Sequence, residues 1–305
     1  MKRNLLRFMA ILCIITLFTG CSAKTNSASE TNSSNEVIAT PTISAKAAPS
    51  ETPVVTNAPV VTTQADSTIP ATEIYVFIAA SLNNAMTEIA AKYNETQPNV
   101  KITYNADSSG TLQTQIEEGA ECDLFFSAAE KQMNTLKDEG YVEGDSVVNL
   151  LQNKVVLIKP KGVETAVTGF ENIFDAKSLA LAAESVPVGD YARQIFMNLG
   201  IWDKVQTMEI NEGSNVTAVL TAVSEGSNEV GVVYQTDANS MKDSVEIIAE
   251  APEGSLTSPV VYPVGLVTNP EADDTQTEAA KDFLKFLSSD ESLSVFENYG
   301  FTISK

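Results

Sequence analysis

Two strand-like runs in this 305-residue chain lead straight into serine-bearing turns that open helices, and neither turn carries Lys, Arg or His. The first reads Tyr75-Val76-Phe77-Ile78-Ala79-Ala80-Ser81-Leu82-Asn83-Asn84, the second Ile102-Thr103-Tyr104-Asn105-Ala106-Asp107-Ser108-Ser109-Gly110-Thr111-Leu112. A helix start presents unpaired backbone N–H groups and a partial positive charge, so it binds anions without a formal cation. A serine there adds a hydroxyl donor. Two such starts facing each other across a cleft would hold a small oxyanion. Taken singly, Ser81 and Ser109 are equally the residues that simply cap a helix.

The rest of the composition narrows the chemistry. Nineteen basic residues against forty acidic ones leave a net charge of −21, and no basic stripe is present. Nucleic acid is therefore excluded as a partner, and an anion must be held by local donors against the global field. With no histidine at all, Ser-His-Asp, Cys-His and His-containing zinc arrangements are ruled out. No G-x-S-x-G elbow, S-x-x-K pair or Walker loop occurs, and no cation-ligand cluster falls at a strand end. These features describe a binding protein, not an enzyme.

Residues 1–20 read as an export signal: Lys2, Arg3 and Arg7 precede an apolar run from Phe8 to Phe18 that is short for a membrane span. The sequence Leu17-Phe18-Thr19-Gly20-Cys21 resembles a bacterial lipoprotein processing site, with Cys21 as the lipidated residue. Residues 21–72, rich in Ser, Thr and Ala and carrying Pro41, Pro49, Pro53, Pro59 and Pro70, read as a disordered tether spanning about 40 Å. Cys13 leaves with the signal, and Cys122 is left unpaired in an apolar strand, a buried and inert thiol.

From Glu73 onward strand and helix patterns alternate to the end. Strand-like runs cover 74–79, 100–105, 122–127, 154–159, 178–183, 206–210, 229–235, 245–249 and 259–267. Helical faces are drawn by Ala85, Met86, Ile89, Ala90 and Tyr93, by Tyr191, Ala192, Ile195, Phe196 and Leu199, by Val216, Val219, Leu220 and Val223, and by Phe283, Leu284 and Leu287. Repeated β-α-β units predict an α/β fold of open, mainly parallel sheets with helices on both faces, and the length suits two lobes. Ligands of such sheets sit at the carboxyl ends of strands, where the serine turns fall.

The segments Ala79 to Met86 and Ser108 to Glu117 resemble the first two ligand motifs of the molybdate-binding proteins of ABC importers. So do Gly119 to Ala128, Val186-Pro187-Val188-Gly189-Asp190-Tyr191-Ala192, Val230-Gly231-Val232-Val233-Tyr234 and the ending Tyr299-Gly300-Phe301-Thr302. The resemblance covers essentially all of 73–305. It implies a two-lobed periplasmic-binding-protein fold of type II, hinged, with the ligand in the interlobe cleft. Lobe 1 would comprise 73–151 plus 259–305 and lobe 2 152–258. The site it implies has Ser81 and Ser109 each giving a hydroxyl and a backbone N–H, Val188 and Val216 giving backbone N–H groups, and Tyr234 giving its phenol. Without the resemblance, Val188 and Val216 would be core residues and Tyr234 amphipathic packing.

Every donor in that set is neutral. An unprotonated tetrahedral dianion offers only acceptors, so such a cage leaves nothing unpaired. Hydrogen phosphate carries a proton, and a donor facing a donor costs about 1–3 kcal/mol, tenfold to a hundredfold in affinity. Sulfate passes that filter and must be separated by cavity size. Asp107 is the departure: pointing inward it would accept the proton of a phosphate, and otherwise it faces solvent or caps the helix. The resemblance implies no cofactor, only molybdate or tungstate as ligand, with molybdenum present solely as the bound oxyanion. It implies an ABC permease as partner, a monomer, and a lipid-anchored position on the outer face of the cell membrane; the alternative is a sulfate or phosphate-type receptor of the same fold.

Overall fold

A computed structural model describes residues 69–304. The signal, Cys21 and the tether up to residue 68 lie outside them. Order begins before the expected boundary, because Ile69 is already buried in the core and β1 opens at Thr72 (Thr72–Ala79).

Two sheets make up the architecture. The first runs β11 (Thr302–Ile303), β4 (Val148–Asn153), β10 (Val260–Leu266), β3 (Leu124–Phe126), β1, β2 (Val100–Asp107). The second runs β7 (Glu209–Gly213), β6 (Ser178–Ala182), β8 (Val230–Tyr234), β5 (Val155–Pro160), β9 (Val245–Glu250). Helices α1 (Asn83–Thr96), α2 (Ser109–Glu117), α3 (Glu130–Asp138), α8 (Asp274–Leu287) and α9 (Asp290–Asn298) pack on the first sheet. Helices α4 (Pro187–Asn198), α5 (Trp202–Val205), α6 (Val216–Ser224) and α7 (Gln235–Ser240) belong with the second. The anticipated faces are inward: Ala85, Met86, Ile89 and Tyr93 of α1, Ala192, Ile195 and Phe196 of α4, and Val216, Val219, Leu220 and Val223 of α6 are all buried. Cys122 is buried as expected, its thiol donating to the Leu124 carbonyl at 3.2 Å, and burial pushes its pKa up.

The α/β, two-lobed class holds, but the sheets are mixed rather than mainly parallel. β1 pairs parallel with β2 and β3, and β6 with β7 and β8. Every pairing of β4, β5, β9, β10 and β11 is antiparallel. These are the strands at which the chain enters or leaves a sheet, so no β-α-β crossover dictates their direction. Strand β4 has no clean alternation, with two exposed residues followed by two buried ones, which hides it from a period-two reading. It runs to Asn153, paired with Val260, so the step into the second sheet falls at Lys154, beyond the boundary expected after residue 151. The chain returns between Glu250 and Val260.

One contact sets where the second sheet delivers its helix starts. Arg193, 8% exposed, donates through Nη1 to the Ala182 carbonyl at 2.7 Å and to the Gly189 carbonyl at 2.8 Å, and pairs with Glu212 at 3.2 Å. The first turn of α4 is thereby drawn against the end of β6. A Cβ on Gly189 would overlap the carbonyls of Ala182 and Ala183, with Ala182 C at 2.8 Å. Gly189→Ala is expected to destabilise the protein by about 1–3 kcal/mol, as overpacking against fixed backbone does, read from urea unfolding. An unchanged midpoint would show that α4 shifts freely.

Candidate functional site

Ser81, Ser109, Val188, Val216 and Tyr234 all line one small cavity. From the first sheet come Ala79 to Ser81 after β1, Asp107 to Ser109 after β2, and Ala128 after β3. From the second come Val186 to Val188 at the start of α4, Val216 at the start of α6, and Tyr234 at the end of β8. Among the described residues that line it there is no Lys, Arg or His. The cavity is thus bounded by strand ends and helix starts on both sides, the arrangement that favours an anion.

The two serines are not caps. In α2 the cap is Ser108, whose Oγ accepts the Thr111 N–H at 3.1 Å. Ser109 is the next residue, fully buried, and its Oγ accepts the Ala128 N–H at 2.9 Å. A hydroxyl that accepts there keeps its own proton for the cavity. Ser81 lies in the short 3₁₀ turn Ala80–Leu82, where no side chain caps, and its Oγ is 2.9 Å from Tyr262 Oη.

That last bond is anchored from behind by Asn153. The Lys154 N–H donates to Asn153 Oδ1 at 2.9 Å, which fixes the amide so that Nδ2 points the other way. Nδ2 donates to Thr236 Oγ1 at 2.9 Å and to Tyr262 Oη at 3.2 Å. Tyr262 is fully buried, and its hydroxyl shares the 2.9 Å hydrogen bond with Ser81 Oγ at the cavity edge. Asn153 and Tyr262 were not legible as site residues, because nothing near them in the sequence marks them as polar core.

In the second half, Val188 and Val216 offer only backbone. They are the second and first residues of α4 and α6, so their N–H groups have no intrahelical acceptor, and Pro187 presets the turn of α4. Asn215 caps α6, its Oδ1 accepting the Ala218 N–H at 3.0 Å, while its Nδ2 donates to Asp107 Oδ1 at 3.0 Å. The same Asp107 oxygen accepts the Ser108 N–H at 2.7 Å. Asp107 therefore sits in the cavity wall, tied to both halves, rather than facing open solvent.

Tyr234 is 1% exposed and edge-on to Tyr262, ring centroids 5.6 Å apart at 67°. Its hydroxyl is buried without a well-formed hydrogen bond, only the Tyr262 hydroxyl standing beside it as a weak partner. Burial pushes its pKa far up, with the neighbouring phenols Tyr262 and Tyr191 and the Asp237 carboxyl adding to it, so it is a donor at any working pH. A larger, more open groove follows the two crossing segments. It holds the Lys154–Glu250 ion pair and no helix start, so it lacks the convergent donors of the smaller cavity. Among the described residues no group of three or more His, Cys, Asp or Glu could hold a metal ion, and no helix is long and apolar enough to cross a membrane.

Residues 74–302 match the model of the bacterial extracellular solute-binding proteins. The chain belongs to that family. It is 41% identical over 225 residues, 73% of this chain and 84% of the relative, to the putative ABC transporter substrate-binding lipoprotein YvgL of Bacillus subtilis. It is 33% identical over 238 residues, 76% of this chain and 91% of the relative, to the molybdate-binding protein ModA of Haemophilus influenzae. Among solved structures, the substrate-binding domain of a putative molybdenum ABC transporter from Clostridium difficile superposes with a TM-score of 0.58 at 34% identity, covering 76% of this chain and 99% of that one. The resemblance read from the serine turns is borne out. The family is one of solute-binding proteins rather than enzymes and works outside the cytoplasm, and the donors found here suit an oxyanion.

One titratable group lies against this wall. Asp237, 6% exposed at the start of α7, accepts the Tyr234 N–H at 3.2 Å, and burial raises its carboxyl from 3.8 to about 7, opposed by the Tyr234 and Asp237 N–H groups. A folded-state pKa above the unfolded value gives stability that is full below pH 3.8 and is lost as pH rises through about 7, about 4 kcal/mol in all. Asp237→Asn retains an acceptor for Tyr234 and cannot ionise. The variant should match the parent near pH 3.5 and melt progressively higher than it by pH 8.5. Parallel melting curves across that range would remove Asp237 as the cause.

Proposed function

We propose that the protein captures molybdate, and tungstate with it, in the cavity between its lobes and delivers it to an ABC permease. The lobes are 73–151 with 259–305 and 152–258, the first crossing lying at Lys154. Ser81 and Ser109 supply hydroxyl and backbone donors, Val188 and Val216 backbone N–H groups, and Tyr234 its phenol. Binding works as a two-state bias: the ligand favours the closed arrangement because only there do both lobes reach it. Lipid on Cys21 holds a monomer at the outer face of the membrane through the tether.

The observation that carries this reading is the buried Tyr234 hydroxyl without a well-formed hydrogen bond. An unsatisfied donor of that kind costs about 1–3 kcal/mol, which a bound oxyanion removes. Tyr234→Phe therefore has opposite expected effects on the two states. The ligand-free protein melts at the same temperature or higher, and molybdate affinity falls tenfold to a hundredfold, about 1–3 kcal/mol, by isothermal titration. A variant that binds as tightly as the parent would take the phenol out of the site.

Asp107 favours a second reading, a receptor for hydrogen phosphate, because its carboxylate stands in the wall. The two separate cleanly. Titration of ligand-stripped protein with molybdate, tungstate, sulfate and phosphate should give tight binding of the first two and weak binding of the others. Asp107→Asn removes a like charge, so molybdate affinity should hold or rise. A fall in phosphate affinity in that variant, with phosphate the best ligand of the parent, would establish the second reading instead.

A further inference from the structure

We propose that Gly110 sets how closely the two lobes approach, and that its missing side chain is what lets the cavity close; this rests on reading the cavity as a closing ligand site. Gly110 is the second residue of α2, on the first-lobe wall. A Cβ there would overlap the carbonyl oxygen of Ser185, with Ser185 C at 3.1 Å and Ser185 Cβ at 3.3 Å. Ser185 belongs to the loop between β6 and α4, on the opposite wall, two residues before Pro187. The contact is therefore backbone against backbone across the cleft.

Glycine is not needed at this position for the helix itself. Its φ is not among the positive ones, and alanine is the better helix residue. Only the cross-cleft contact calls for hydrogen in place of a methyl group. The opposing carbonyl cannot easily retreat, because the Val186 N–H donates to Ala183 O at 3.0 Å and the Ala183 N–H to Gly213 O at 2.9 Å. Two further links span the same seam: Asn215 Nδ2 to Asp107 Oδ1 at 3.0 Å, and Lys131 of α3 to Asp190 of α4 at 3.8 Å. Ser109 lies one residue from Gly110 and Val188 three residues from Ser185, so a ligand small enough to touch both needs α2 and α4 to meet this closely.

The test uses the full chain with Cys13 and Cys21 replaced by Ser and with Lys131→Cys and Asp190→Cys, joined by a short bifunctional maleimide that spans the seam only when it is closed. Cys122 is buried and does not compete. The 131–190 linkage is followed by peptide mass spectrometry with and without molybdate, in the Gly110 parent and in Gly110→Ala. The alanine variant should keep the parent's circular dichroism and melt no lower, yet cross-link about tenfold more slowly or worse in both conditions and bind molybdate correspondingly less tightly. Asn215→Ser, which keeps a capping residue but removes the amide reaching Asp107, should slow cross-linking in the same direction. Equal cross-linking rates in parent and Gly110→Ala without ligand would overturn the proposal. Molybdate leaving the parent's rate unchanged would instead count against the ligand assignment, while the ligand-free comparison still decides the role of Gly110.

Discussion

The side-chain amide of Asn153 has one orientation, fixed by the N–H of Lys154 at 2.9 Å, and much of the site's polarity descends from it. With Oδ1 committed, Nδ2 donates into Tyr262 and Thr236, and the Tyr262 hydroxyl is hydrogen-bonded in turn to Ser81 at the cavity. Asn153 ends β4 and Lys154 is the residue at which the chain passes to the second sheet. Tyr262 lies on β10, the strand that returns. Ser81, at the cavity, is therefore held by the two segments through which the chain passes between the sheets. A buried chain of this kind is valuable only when every member is satisfied, and the one buried phenol left over, Tyr234, is the one that meets the cavity.

The electrostatics follow from using fixed dipoles in place of cations. A lysine in the cavity would attract any anion, protonated or not, and its flexible stem would tolerate many geometries. Helix-start amides do neither. They are already in position and work best when water is excluded around them. The net charge of −21 is not an obstacle at that range, since solvent-exposed charges are screened beyond about 8 Å at physiological ionic strength. Nearby carboxyls matter more. Asp107 has its Oδ1 held by two donors, and Asp237 is protonated over much of the acid range because it is buried. Each arrangement reduces the repulsion a dianion would feel from the wall.

The site was legible where it coincided with local grammar. A serine turn after an apolar run marks a strand end and a helix start at once, so Ser81 and Ser109 stood out before any coordinates. The finer assignment was not legible: two adjacent serines look alike, and only the structure shows that Ser108 caps while Ser109 turns to Ala128. Val188 and Val216 meet the cavity at helix starts, where only their backbone N–H groups are polar, so their side chains carry no signal and they were reached by resemblance alone. Tyr262 and Asn153 escaped because their partners are distant in sequence, 181 residues separating Tyr262 from Ser81. The mixed sheet direction escaped for a related reason. Periodicity reports which face a strand buries, and strand direction depends on which neighbours the chain has already placed.

Gly110 and Gly189 show how a tertiary constraint leaves a local mark. Both lie in the first turn of a helix without a positive φ, where alanine would lower the conformational entropy cost of folding. Both face carbonyl oxygens that a methyl group would overlap. For Gly189 the carbonyls belong to the strand of its own lobe, so the constraint is one of folding. For Gly110 the carbonyl belongs to the other lobe, so the constraint exists only while the lobes are together. A residue that is locally unfavourable in every state, and compensated only in one, shifts the balance toward that state by removing the clash an alanine would introduce. The same physics that makes α4 lie flat on β6 thus lets the starts of α2 and α4 meet at a single small cavity.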